Sequence, residues 1–230
     1  MFTSVKVSVR KHILNYIIKA ITFSLAVPTG EPLEIRAEPL SSTEIKVTWQ
    51  PPDQSKQNGQ IMGYKIFYWV NSLNKSNLVK DQHSKSLPRE MMEIVPDTLA
   101  SFILLDLYKW TNYSIQISAF NPAGDGPRSK PTIVQTLEDL PGELGPIEFD
   151  EITMSQVKVT WRPPAEPNGL LLGYYITYET LIGDFSKQVK QKINDSYLVV
   201  SALRERVTYT FKVRAENSVG LGPERIGNGN

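Results

Sequence analysis

The sequence predicts an all-β protein of two tandem seven-stranded sandwiches, the second lacking most of its last strand. Three observations predict it. One block of residues occurs twice, its apolar side chains alternate with polar ones at a period of two, and Pro-Pro, Asn-Gly and Gly-x-Gly clusters separate the alternating runs.

The repeat can be followed residue by residue. Ile45-Lys46-Val47-Thr48-Trp49-Gln50-Pro51-Pro52 returns as Val157-Lys158-Val159-Thr160-Trp161-Arg162-Pro163-Pro164, an offset of 112. Asn58-Gly59 returns as Asn168-Gly169, and Gly63-Tyr64-Lys65-Ile66-Phe67-Tyr68 as Gly173-Tyr174-Tyr175-Ile176-Thr177-Tyr178, both at 110. Tyr113 returns as Tyr209, and Asn121, Gly124 and Gly126 as Asn217, Gly220 and Gly222, all at 96. The falling offset gives the first copy two extra residues before Asn58 and fourteen between Tyr68 and Tyr113. Insertions confined to two places are lengthened loops on a fixed framework.

Each element follows from alternation. In Ile45, Val47 and Trp49 the apolar residues are separated by Lys46 and Thr48; in Tyr209, Phe211, Val213 and Ala215 they are separated by Thr210, Lys212 and Arg214. Such runs bury one face and wet the other, and β-branched and aromatic residues favour them. In the first unit, residues 31–137, the pattern places strands near 33–38, 44–50, 62–70, 76–82, 101–106, 112–121 and 130–136. In the second, residues 141–230, it places them near 147–152, 156–162, 172–180, 185–192, 196–200 and 208–217. Only Pro223 to Asn230 remain for a seventh strand there, and Gly227, Asn228, Gly229 and Asn230 are poor strand formers. A truncated last strand would leave the sixth with an unpaired edge, and such a chain reads as a fragment of a longer protein.

Residues 1–26 differ from the rest. Three cations precede an apolar stretch, Ile13 to Ala26, interrupted by Asn15 and Lys19, with small residues at Ser24 and Ala26. That fits either a weak secretory signal peptide or an arbitrary upstream extension. No later apolar run is long enough to span a membrane. Lys6, Arg10, Lys11 and Lys19 take four of the 25 basic residues and leave 21 against 24 acids, a net of −3 for the body. A body of that charge is a poor nucleic-acid binder. Cysteine is absent, which excludes disulfides, thiolate metal sites and a cysteine nucleophile.

The repeated marks resemble a fibronectin type III domain, twice. They are the Trp of the second strand followed by Pro-Pro, the Gly-Tyr-x-Ile-x-Tyr third strand, Leu107 to Tyr113 and Leu203 to Tyr209 ahead of the sixth, and the two Asn-x2-Gly-x-Gly turns. Together they cover residues 31–226. The family often has proline two residues after that leucine and threonine four after it; here those positions hold Lys109 and Thr111, then Glu205 and Val207. The second unit resembles a domain of sidekick-type adhesion proteins, which are large cell-surface chains. Contactin-like molecules and receptor tyrosine phosphatases carry similar tandems.

These residues also have physical roles. Trp49 and Trp161 would lie between the sheets, where truncation costs about 3–5 kcal/mol. Tyr113 and Tyr209 would bury their rings and return their hydroxyls to the backbone upstream. Gly124, Gly126, Gly220 and Gly222 would permit positive φ in the hairpin.

No catalytic set is evident. His12 lies in the leader; His83 has Ser84 and Asp81 beside it, but neighbours in sequence do not make a triad. No His or acidic spacing suits a metal, and Gly124-x-Gly126 precedes proline instead of a phosphate-binding helix. No cofactor, small-molecule substrate or nucleic acid is implied, and no enzyme.

What remains is surface. Asn74, Asn112 and Asn194 head glycosylation sequons. If Tyr64, Ile66 and Tyr68 face the core, Phe67 and Trp69 face away from it, joined by Phe120; the second unit has Thr177, Glu179 and Glu216 there. Outward aromatics grouped on one sheet favour a protein contact, unless the insertion after Leu73 folds over them. The short link Thr136 to Pro141 suits a spacer with limited swing. The expectation is a non-catalytic extracellular or cell-surface module of an adhesion or receptor protein. Its partners would be other proteins, with a homophilic contact among them, and its membrane attachment would come only through a parent anchor. The alternatives are an intracellular scaffold of the muscle-filament kind and the ectodomain of a receptor tyrosine phosphatase.

Overall fold

The computed structural model describes residues 26–71, 90–180, 189–204 and 207–229. His12, His83, Asn74 and the segment 76–82 anticipated as a strand lie outside the described residues. The chain divides into two compact units that succeed one another in sequence at Thr136 and Leu137.

In the first unit β1 (Leu33–Pro39), β2 (Ile45–Gln50) and β5 (Ser101–Leu104) form one sheet in the order β1-β2-β5. The other sheet runs β4 (Met91–Pro96), β3 (Gly63–Val70), β6 (Asn112–Asn121), β7 (Gly124–Arg128), with β8 (Thr132–Gln135) also paired to β6. Pairing is antiparallel throughout. Alternation decides the faces: Ile45, Val47 and Trp49 enter the core from one sheet, and Tyr64, Ile66, Tyr68, Tyr113, Ile115 and Ile117 from the other. The strand bordering β3 is Met91–Pro96, at the far end of the inserted residues. Its Val95 is buried while Met92 and Ile94 are exposed, so burial alternates along the strand although its residues are apolar on both faces.

The second unit repeats the plan. One sheet is β13 (Tyr197–Ser201), β10 (Gln156–Trp161), β9 (Ile147–Asp150); the other is β12 (Val189–Ile193), β11 (Gly173–Thr180), β14 (Tyr209–Glu216), β15 (Arg225–Gly229). The seventh strand expected to be mostly missing is therefore present. β15 pairs residue for residue with Tyr209–Val213, and the sixth strand has no bare edge there. The ladder needs only backbone N–H and C=O groups, which glycine supplies like any other residue. Gly227 also allows β15 to lie against β9: a Cβ at that position would stand 3.0 Å from the Cβ of Ile147.

The paired glycines of the last hairpins divide their roles. Gly124 and Gly220 have φ of 141° and 150°, a region that L side chains rarely enter. Gly126 and Gly222 do not take positive φ, contrary to expectation, and are required by close approach instead. A Cβ on Gly126 would meet the Pro28 ring at 2.8 Å, and one on Gly222 would meet the Pro141 carbonyl at 2.6 Å.

Candidate protein-contact surface

Trp49 and Trp161 are 3% and 4% exposed, each edge-on to the tyrosine of the third strand, Tyr64 at 5.3 Å and Tyr174 at 5.5 Å between ring centres. Tyr113 is fully buried, and its hydroxyl accepts a bond of 2.8 Å from the Tyr108 N–H; Tyr209 accepts one of 2.9 Å from the Arg204 N–H. Burial pushes the Tyr113 hydroxyl up to about 12, and the Tyr108 bond pulls partly back. Tyr64, Tyr68 and Tyr174 are also raised, by burial first. Tyr113, and Tyr209, which is half-buried where a buried ring was expected, hold backbone through their hydroxyls and act as framework.

Sequence reasoning missed a second pair of framework residues. The buried Asn121 amide donates to the carbonyls of Ala26, Gln57 and Asn58, and its oxygen accepts from the Ala123 N–H. In the other unit Asn217 donates to the carbonyls of Asp139 and Pro167 and accepts from the N–H groups of Val219 and Gly220. Each asparagine ties the segment entering its unit to two turns. The repeat at an offset of 96 marked both residues, but nothing in one sequence distinguishes a clasp from a turn former.

Phe67, Trp69 and Phe120 turn away from the core cluster, on the outer face of the sheet built on β3 and β6. Phe67 nevertheless is not open to solvent. It is 8% exposed, because the Arg128 guanidinium lies over its ring at 3.5 Å. Arg128 is held in turn by both oxygens of Glu90, at 2.7 and 3.3 Å. A cation over a ring adds roughly 0.5–2 kcal/mol, and a bidentate carboxylate fixes its orientation. The sequence could not reveal this cover, since Glu90, Phe67 and Arg128 are far apart in the chain. Phe120 is half-buried: its ring passes over Gly63, where a Cβ would stand 2.9 Å away. The Lys65 ammonium lies 5.8 Å from that ring and pairs with Asp125 at 2.6 Å.

Register extends the face beyond these three aromatics. Met92 stands across from Phe67, Ile94 across from Lys65, and Ile133 is level with Trp69 across Ser114. Met92, Ile94 and Ile133 are 47%, 57% and 58% exposed. These more exposed apolar members were missed because two of them lie in Met91–Pro96, where the sequence pattern set no strand. The second unit is charged on the corresponding sheet: Lys212 bonds Glu179 at 2.7 Å, which raises the lysine pKa, and Lys192 pairs with Glu216.

Of the sequons, Asn194 is exposed in the turn between β12 and β13, and Asn112 is half-buried at the start of β6. Among the described residues no His, Asp and Glu gather into a group able to hold a metal ion, and no helix is long and apolar enough to cross a membrane.

Comparison with known proteins agrees with this architecture. The family model for the Fibronectin type III domain matches residues 30–135 and 143–226. Protein sidekick of Drosophila melanogaster is 48% identical over 206 residues, covering 89% of this chain and 9% of that protein. Protein sidekick-2 of Gallus gallus is 36% identical over 204 residues, 86% of this chain and again 9% of its own length. Receptor-type tyrosine-protein phosphatase F of Danio rerio is 32% identical over 207 residues, 87% of this chain and 10% of its own. The chain thus spans about a tenth of each relative's length. With both buried tryptophans, both tyrosine corners and the two-sheet topology repeated, the chain belongs to the fibronectin type III family.

Proposed function

We propose that the chain is a non-catalytic extracellular module of a sidekick-type adhesion protein, acting as spacer and as protein-contact surface. The observation that carries the reading is the outer face of the first unit. Trp69, Met92, Ile94 and Ile133 offer apolar area there, and the nearby charges Lys65–Asp125 and Arg128–Glu90 are already paired. A neutral apolar face with a polar surround is what a protein partner buries. The similarity to sidekick proteins supports the same reading.

The face is tested by presenting the chain multivalently to cells. Trp69→Ser combined with Ile94→Ser lowers binding while the melting temperature stays within a few degrees; unchanged binding refutes the contact. Phe67→Ser is a poor probe, because Phe67 is covered by Arg128 and its loss destabilises the unit. The scaffold alternative is separated by secretion from animal cells. A glycan on Asn194, seen as mass lost on enzymatic deglycosylation, supports the extracellular reading; a chain that stays inside without glycan supports the scaffold.

A further inference from the structure

The sheet edges of this chain are not equally protected. β8 lies against β1, and β15 against β9, so those four edges cover one another in pairs. β7 contains Pro127 and a shifted register, and β1 contains a further shift and Pro39. β4 carries Glu93 and ends at Pro96; β12 reads Val-Lys-Gln-Lys-Ile. Charge, proline, irregular register and cover by another element all discourage a foreign strand from pairing. Among the described residues β5 and β13, the fifth strands of the two units, have none of these devices, and β5 is only four residues long.

β13 is the longer, Tyr197-Leu198-Val199-Val200-Ser201, with no charge and no proline. It pairs with β10 over five residues without a bulge, and among the described residues nothing pairs with its other side. Tyr197 and Val199 are 48% and 42% exposed on its outer face. The nearby Lys158 ammonium, 5.8 Å from the Tyr197 ring, is already paired with Glu151 at 2.8 Å.

We propose that β13 is a pairing edge for a second copy of this chain. Two β13 strands related by a two-fold axis through Val199 place Val199 opposite Val199 and Tyr197 opposite Ser201. In such an isologous pair the axial residue meets its own copy and its neighbours cross-pair close by, so a charge at the centre of the strand meets its like; Val199 and the uncharged residues around it avoid this. Each Tyr197 then lies diagonal to the opposing Val199, which joins the exposed apolar side chains into one strip across six continuous strands. This surface is distinct from the aromatic face of the first unit, and each stands or falls independently.

The test uses the absence of cysteine. In the full chain made without glycosylation, Val199→Cys is the only thiol. Opposed Cβ atoms across an antiparallel pair lie about 5 Å apart, within reach of a disulfide after small adjustment. With a mild added oxidant, two thiols give up two protons and two electrons, and a covalent dimer forms several-fold faster than for Met154→Cys or Ile103→Cys. Met154 is more exposed but off the edge, and Ile103 is its counterpart on β5. Equal rates at the three positions overturn the proposal. Sedimentation supplies the second arm. The parent chain self-associates as its concentration rises, and Val199→Lys abolishes this with the melting temperature unchanged. A parent chain that stays monomeric, or a Val199→Lys variant that still associates, overturns it as well.

Discussion

Asn121→Ala should destabilise the first unit by about 3 kcal/mol, and the ordering of variants at that site is more diagnostic than the number. Asn121 is 4% exposed. Its two shortest bonds, to the Ala26 carbonyl and from the Ala123 N–H, are both 2.9 Å and contribute about 1 kcal/mol each. Truncation also leaves the Ala123 N–H without its side-chain partner, for roughly 1 kcal/mol more. For a module of this size that lowers the melting temperature by about 12–24 °C. Asn121→Asp preserves shape and the acceptor but turns a carboxylate oxygen toward the carbonyls of Ala26, Gln57 and Asn58. If the amide is a clasp, Asp is therefore worse than Ala despite being the closer isostere. Calorimetry of the full chain reads both variants. An aspartate variant milder than the alanine variant, or an alanine variant within about 4 °C of the parent, refutes the assignment.

Two further outcomes follow from the same geometry. Tyr113, raised from 10.0 to about 12, stays neutral in the fold at pH values where the unfolded chain ionises. Its contribution of about 3 kcal/mol is complete below pH 10 and is lost as pH rises through about 12. Urea midpoints across that range should fall less steeply in Tyr113→Phe, and an equal slope refutes the role. Gly222→Ala sets a Cβ 2.6 Å from the Pro141 carbonyl, so it should cost roughly 1–3 kcal/mol although φ is ordinary there. A neutral effect on melting would show that the entering segment yields.

The sequence disclosed what short-range alternation and repetition encode. Ile45, Val47 and Trp49 state their faces in six residues, and the copy at Val157, Val159 and Trp161 confirms the period. It concealed what depends on backbone pairing or on distant side chains. β15 forms from Arg-Ile-Gly-Asn-Gly because β14 offers a ladder and β9 a surface against which glycine fits, and neither can be read from those five residues. β4 was not anticipated because Met91-Met92-Glu93-Ile94-Val95 carries apolar residues on both faces and so lacks the apolar–polar alternation by which strands were placed. Phe67 lies outside the core cluster, yet its exposure is set by Arg128, sixty-one residues later, and no local pattern contains that pair.

The comparison of the two units bears most directly on function. Buried positions agree between them: Trp49 with Trp161, Tyr64 with Tyr174, Ile117 with Val213, Asn121 with Asn217. The outer faces do not agree. Where the first unit has Phe67 and Trp69, the second has Thr177 and Glu179, and Glu179 is engaged by Lys212. A core tolerates little volume change, so it holds a framework constant, while a solvent face is free to vary with the partner it meets. Two units with one interior and two exteriors therefore present two different surfaces on the same support. Exchanging Thr177 and Glu179 for the aromatic pair should leave the fold of the second unit intact, because both positions lie on the outer face of β11. It should also carry part of any contact made by the first unit across to the second.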